Sequence, residues 1–201
     1  MEVNPLRTQA ERSAATQRAL VNAARPLFAR EGFGSVSTEA VVRAAGVSRG
    51  ALYHQFKDKT ALFEAVFETV EQEVTSRLAM TVAESGETDP IVLMELGGHA
   101  WLDACAEPEV QRIVLLDAPA VLGWERWREI GMKYGVGLVE AMIAHAISAG
   151  RLEAQPARPL AHVLIGALDE AAMYVVRAED PAAARDEMRA VISRLVRALA
   201  A

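Results

Sequence analysis

Apolar residues recur along this chain at helical spacing. Leu20, Ala23, Ala24, Leu27 and Phe28 fall at i, i+3, i+4, i+7 and i+8, the buried stripe of an amphipathic helix. Gly32 follows where a left-handed stop is expected. Ser37 is a fitting N-cap for a short helix over residues 38–45, with Val41, Val42 and Ala45 available to pack. Gly46 breaks that helix, and Ser48 caps a third that ends near Phe56. Three helices with so tight a turn between the last two predict a helix-turn-helix unit.

From Lys59 the series Leu62, Phe63, Val66, Phe67, Val70, Val74 and Leu78 predicts a helix of about five turns. The polar stretch 84–89 ends it, and Asp89-Pro90 pairs an N-cap with proline at the first helical position of a helix reaching Ala106. Pro108 begins another. Residues 119–150 read as helical but contain Gly131, Gly135 and Gly137, which leaves open one bent helix or two. After a Pro-rich connection over 151–159 come an apolar helix from Pro159 to Ala178 and a last one capped by Asp180-Pro181. No internal repeat and no strand pattern interrupts the series. The expected fold is all-α, with nine or ten helices.

Composition adds bounds. Of 201 residues, 52% are hydrophobic and 24% charged, enough apolar material for a large core and unlike a disordered chain. No run reaches the roughly 18 consecutive apolar residues of a membrane span, and Met1 to Arg7 lack the apolar core of a secretory signal. A single cysteine, Cys105, permits no internal disulfide and agrees with a reducing compartment. A cytoplasmic protein with no membrane partner is expected.

Net charge is −6, which by itself argues against a polyanionic partner, but its distribution is uneven. Residues 1–60 hold nine Lys and Arg against five acids, and the remainder holds 12 against 22. A basic head on an acidic body directs attention to nucleic acid at the N-terminal end.

The segments Leu-Val-Asn-Ala-Ala-Arg-Pro-Leu-Phe-Ala-Arg-Glu-Gly-Phe (20–33), Val-Arg-Ala-Ala-Gly-Val-Ser-Arg-Gly-Ala-Leu-Tyr-His-Gln-Phe-Lys-Asp-Lys (42–59) and Ala-Leu-Phe-Glu-Ala-Val (61–66) closely resemble the N-terminal signature of the TetR family of transcriptional regulators. The resemblance covers about 47 residues in order; beyond it only helical layout and length agree. It implies a homodimer whose two helix-turn-helix heads bind a pseudo-palindromic DNA operator, and a larger helical domain that binds a small molecule and releases the DNA. The expected division is a flexible tail over 1–14, a DNA-binding domain over 15–60 and an effector-binding and dimerisation domain over 61–201. Two positions depart from the pattern. Pro26 lies within the first helix, where proline removes a backbone bond and favours a kink. Ala40 stands where an acidic residue is common, so the second helix lacks the reciprocal half of a capping box.

A helix in the major groove needs apolar anchors on one face and small or polar residues on the other. Leu52 and Phe56, with Val47, suit the inner face. Gly50 and Ala51 allow close approach to base edges, Ala51 can touch a thymine methyl, and Arg49 is the candidate for a bidentate bond to guanine. Ser37 and Thr38 open the second helix, and Ser48 opens the recognition helix, where hydroxyls and free N–H groups suit phosphate. By resemblance, Tyr53, His54 and Lys59 match positions that hold phosphates or nearby bases; Lys57 joins Lys59 as a candidate clamp. Tyr53 as a cover of the head's core, and His54 and Lys57 as solvated surface residues, remain open alternatives, as does an arm role for Arg7 and Arg12.

Within residues 90–150 lie Met94, Trp101, Cys105, Trp124, Trp127 and Tyr134, large polarizable side chains that make this the expected ligand-binding region, with core packing as the alternative. The final two helices carry Leu164, Ile165, Leu168, Ala171, Ala172 and Val175, then Met188, Val191 and Leu195, more apolar surface than one core face needs. A four-helix dimer interface is the expected use, and the resemblance points to the same pair. His99, Cys105, His145 and His162 show no close ligand-pair spacing, so no metal is expected. Without a nucleophile–base pair or phosphate loop, no catalytic site and no cofactor are expected either. The competing expectation is a protein of the same fold that binds DNA and a protein partner, with no small-molecule ligand.

Overall fold

The computed structural model describes residues 9–200. Their backbone forms α1 (Gln9–Ser35), α2 (Thr38–Ala45), α3 (Arg49–Gln55), α4 (Lys59–Glu84), α5 (Pro90–Ala106), α6 (Pro108–Val110), α7 (Ala118–Leu122), α8 (Trp124–Ser148), α9 (Ala157–Arg177) and α10 (Pro181–Arg197). A π-helical segment, Gln111–Asp117, joins α6 to α7. The all-α expectation holds; among the described residues the one extended pairing is an isolated bridge between Leu152 and Ala200.

The helix starts follow from local chemistry. Side chains of Ser37, Ser48, Asp58, Asp89 and Asp180 each accept a bond from a backbone N–H in the first turn of α2, α3, α4, α5 and α10. These caps satisfy donors that the helix itself cannot. At α2 only the Ser37 half of a capping box forms, with Ala40 N–H to Ser37 Oγ at 3.1 Å, as the alanine at position 40 requires.

Four expectations need correction. Gln9 to Ala14 are helical turns of α1, so that part of the tail expected over 1–14 is ordered; its first eight residues, with Arg7, lie outside the described residues. Pro26 sits exposed inside α1, and the non-helical backbone of that element is at Gly32, not at the proline. On the outward face the proline ring stands in solvent, and water can reach the carbonyl of exposed Asn22 that the missing donor leaves unbonded, so the loss is smallest there. The break within 119–150 is at Gly123, while Gly131, Gly135 and Gly137 continue α8. At φ 81° and ψ 159° the Gly123 backbone is one that a side chain would strain. Finally, α9 starts at Ala157, because Pro159 tolerates a place in its first turn.

The head packs α1, α2 and α3 around Leu20, Ala24, Phe28, Val41, Leu52 and Phe56, all buried. Phe63, at the start of α4, meets Phe28 and Phe33 edge-on at 5.3 and 5.2 Å, so the head's core continues into α4. In the body α5 and α8 pack on the rest of α4, while α9 packs on α8 and α5, and α10 on α5 and α9. Gly98 permits one tight crossing there. A Cβ at that position would lie 2.9 Å from Ile192 Cγ2 and 3.3 Å from Leu168 Cδ2, so both α9 and α10 seat against the bare backbone of α5. By length and composition α8 and α9 are apolar enough to cross a membrane. Neither is an uninterrupted apolar run: Arg126, Arg128, Lys133 and Glu140 punctuate α8, and Asp169 and Glu170 punctuate α9.

Candidate nucleic-acid interface and apolar cavity

Leu52 and Phe56 face inward as the spacing requires, and Val47 is half-buried beside them. The opposite face of α3 presents Arg49, Gly50, Tyr53 and His54 to solvent, with Ala51 half-exposed. Gly46 makes the turn before α3 at φ 65°, its N–H bonded to the α2 carbonyls. Arg49 is held before any DNA arrives: its guanidinium pairs with Glu39 of α2 at 2.9 Å and lies 5.5 Å from the Tyr53 ring centroid. Arg49 beside the Glu39 carboxylate lowers that group's pKa, after the larger effect of a backbone hydrogen bond at Glu39 itself.

Ser37 and Ser48 accept from backbone N–H groups at 3.1 Å each, which uses a lone pair and leaves each hydroxyl proton free to donate. Thr38 donates to Glu39 at 3.3 Å. Lys57 is exposed. Lys59 departs from the expectation of a plain surface clamp. It is half-buried, its ammonium donates to the carbonyls of Phe33 at 2.8 Å and Val36 at 3.0 Å, and it stands 4.1 Å from the Phe33 ring centroid. Lys59 therefore ties the end of α1 to the start of α4, with one of its three N–H bonds left over. Gln55 is a further positioning residue that the periodicity did not reveal: its amide exchanges hydrogen bonds with the Ser13 hydroxyl of α1 at 2.9 and 3.3 Å.

Inside the body lies a cavity of about 200 Å³ between α4, α5, α8, α9 and α10. Met94, Trp101 and Trp127 form part of its wall, as the concentration of large side chains suggested. Both indole N–H groups donate to backbone carbonyls, Trp101 to Leu168 O at 3.2 Å and Trp127 to Val114 O at 2.9 Å. Cys105, Trp124 and Tyr134 are not at this wall. Cys105 borders a separate cavity of about 260 Å³ with Leu102, Val175 and Arg185, and its burial pushes the thiol pKa well up. Trp124 follows the Gly123 break at the start of α8, where 65% of it stays exposed while its ring rests 4.8 Å from that of Trp127. Tyr134 turns aside under the Lys133 ammonium, 4.9 Å from its ring centroid.

Three charged residues on the cavity wall were not expected from periodicity: Glu71, Arg128 and Asp169. Arg128 donates to Asp169 at 2.5 Å and to the His162 carbonyl at 3.1 Å. Glu71 receives no hydrogen bond from any described residue. Burial raises its pKa to about 8, with the Asp169 charge adding to the effect. Burial likewise lifts Asp169 to about 6, against the pull of Arg128. A charge inside an otherwise apolar helix face was the available signal.

The residues expected at a dimer interface divide. Leu164, Ala171, Ala172 and Val175 are buried in the protomer's own core, and Leu164, Ile165, Leu168, Ala171, Met188, Val191 and Leu195 reach the cavity wall. Val191 and Leu195 are each 44% exposed, and beside them on α9 the exposed apolar residues are Val163 and Tyr174. A helix apolar on several sides gives no period to tell its inward face from its outward one.

Head and body meet through ionic contacts. Arg25 of α1 donates to Glu109 of α6 at 2.8 Å through two nitrogens and to Glu73 of α4 at 2.6 Å, and these bonds raise its pKa. In the π-helical segment, Asp117 accepts from the Phe33 N–H at 2.7 Å. Val114, three residues earlier, touches the cavity.

The comparisons with known proteins cover both halves of this arrangement. Residues 20–66 match the family described as bacterial regulatory proteins, tetR family, and residues 93–199 match the tetracyclin repressor-like C-terminal domain. The transposon Tn10 TetC protein of Escherichia coli is 28% identical over 158 residues, 79% of each chain. A TetR-family transcriptional regulator from Pectobacterium atrosepticum, solved as a crystal structure, is 32% identical with a TM-score of 0.83, covering 96% of this chain and 98% of that one. RolR, solved with resorcinol bound, shares the fold at 18% identity and a TM-score of 0.74, over 93% and 90% of the two chains. With both domains matched and a near-complete structural relative above 30% identity, the chain belongs to the TetR family, as a non-enzymatic transcriptional regulator with a helix-turn-helix DNA-binding domain.

Proposed function

We propose that the protein is a cytoplasmic homodimeric repressor that leaves a pseudo-palindromic operator when a small apolar or aromatic molecule enters the body. The observation that carries this reading is one helix with two duties. Lys59 at the N-terminal end of α4 is bonded to the head, while Glu71, Thr75 and Leu78 further along the same helix line the cavity. The π-helical segment offers a second route, from Val114 at the cavity to Asp117 on Phe33. π-helical irregularities are frequent at functional sites. In this reading residues 15–60 are the reading head and 61–201 the sensor and dimer body.

A ligand changes DNA affinity only by its different affinity for the two arrangements of the heads. Two half-sites lie a fixed helical repeat apart, so a shift of α4 that alters head separation loses contacts on one side. Arg49, Gly50 and Ala51 are the proposed base readers, with Ser37, Thr38, Ser48, Tyr53, His54, Lys57 and the remaining N–H of Lys59 holding phosphates. Dimerisation is proposed through the outward face of α9 and α10, centred on Val163, Tyr174, Val191 and Leu195, rather than through the residues buried in the protomer. The resorcinol held by RolR supports a small aromatic occupant. The cavity also weighs against a purely protein-directed regulator, which needs no space inside the body. The test is fluorescence anisotropy of labelled operator DNA with the purified protein. Release by a small aromatic that also quenches tryptophan fluorescence supports the reading; tight cavity binding with no change in DNA affinity refutes it.

A further inference from the structure

The cavity wall is apolar except where Glu71 of α4, Arg128 of α8 and Asp169 of α9 border it, with the Thr75 hydroxyl one turn from Glu71. Arg128 and Asp169 already satisfy one another. Glu71 does not share in that pair: it is 5% exposed, borders the open space, and takes no hydrogen bond from any described residue. With both carboxylates ionised the trio carries one negative charge more than it can neutralise. We propose that the cavity is built for a monocationic ligand, an ammonium or similar cation on an apolar or aromatic body, with Glu71 as its counter-charge.

The chemistry explains why the site is not simply a greasy hole. A carboxylate at an apolar wall is unfavourable without a partner, and it stays protonated until a cation supplies one. Burial pushes Glu71 up to about 8, so the empty site holds a proton there at neutral pH. The other groups that bear on it are Asp169, neutralised by Arg128, and the Cys105 thiol of α5, itself pushed upward by burial and by both carboxylates. Among the described residues lining the cavity, α10 adds no titratable group. An entering cation therefore displaces the Glu71 proton, and one proton leaves for each ligand bound. The indole side chains of Trp101 and Trp127 border the same space, and a quaternary ammonium is attracted to aromatic rings. An anionic ligand meets the opposite situation: its only cation, Arg128, is committed to Asp169 and to the His162 carbonyl.

This inference rests on the reading of the cavity as a ligand site, and the experiment separates the two. Phenyltrimethylammonium and its uncharged counterpart tert-butylbenzene are titrated into the full-length protein by calorimetry and tryptophan fluorescence, without DNA and then with operator DNA. The cation is expected to bind at least about tenfold more tightly than the hydrocarbon at pH 8. Its affinity should rise about tenfold from pH 6 to 7, with close to one proton released, and less steeply toward pH 8, where the empty site is already about half ionised, because the ligand itself does not titrate. Glu71→Gln should abolish both the preference and the pH slope while still binding the hydrocarbon. Equal binding of the two probes, or a preference that survives Glu71→Gln, overturns the inference and leaves an apolar sensor standing. Preferential binding of the cation with unchanged DNA affinity upholds the inference and overturns the effector role. Binding of neither probe overturns both.

Discussion

Replacing Glu71 by Gln removes an ionisable group from an apolar wall while keeping its shape and its neutral polarity. The folded protein holds the Glu71 proton up to about 8, whereas an unfolded glutamate releases it near 4.5. Below the unfolded value both states are protonated and the residue is neutral toward stability. Between the two values the unfolded chain has lost the proton and the native one retains it, so stability falls as pH rises, and above about 8 the loss is complete. The full gap corresponds to roughly 5 kcal/mol, about 3 kcal/mol of it already present at pH 7 and under about 1 kcal/mol at pH 5. Glu71→Gln should therefore stabilise the protein by about 3 kcal/mol at pH 7 and scarcely at all at pH 5. Urea unfolding of both proteins at one fixed protomer concentration, at pH 5, 7 and 8.5, measures the difference directly. A stability difference that stays constant across this range, or that favours the glutamate at high pH, would falsify the placement of an unpartnered carboxyl at the cavity wall.

Three further perturbations probe other parts of the molecule. Lys59→Met should cost about 2 kcal/mol in thermal or urea unfolding, because it removes charged hydrogen bonds to Phe33 and Val36. It should also weaken all DNA sequences alike, with a salt slope smaller by up to about one per head; unchanged stability refutes the tether. Arg25→Ala detaches α1 from Glu73 and Glu109. It should leave cavity binding intact in fluorescence titrations while shrinking the effect of a cavity ligand on DNA affinity; an undiminished effect shows that coupling runs elsewhere. The double variant Val163→Asp, Tyr174→Asp places charges on the outward face of α9 and away from the cavity, and sedimentation should report a monomer with DNA affinity at least about tenfold weaker. A stable dimer would move the interface to another face.

Sequence periodicity reached the head almost completely, because each cue there has one meaning. Ser37 and Ser48 cap, Gly46 turns, and Leu52 and Phe56 four residues apart must share the inner face of α3. The body was less legible for a physical reason. In α5, α8 and α9 an apolar residue can face the core, the cavity or a second copy, and burial rewards all three alike. Trp127 and Trp124 show the ambiguity: three apart on one helix and in tilted ring contact with each other, yet one is buried at the wall and the other exposed. The charged trio escaped because Glu71, Arg128 and Asp169 come from three helices and meet only in space. Lys59 escaped for the same reason, since its acceptors lie 23 and 26 residues earlier in the chain.

Selection of genomic fragments by the purified protein at physiological salt tests the central claim most directly, with Arg49→Ala run in parallel. The wild type should enrich a two-fold symmetric sequence with half-sites a whole helical repeat apart, and the variant should keep the same spacing while relaxing one position in each half-site. Loss of discrimination there should be about 1–3 kcal/mol. Enrichment of no sequence by the wild type, or an identical motif from both proteins, would contradict the assignment of α3 as the reading helix and of Arg49 as its reader.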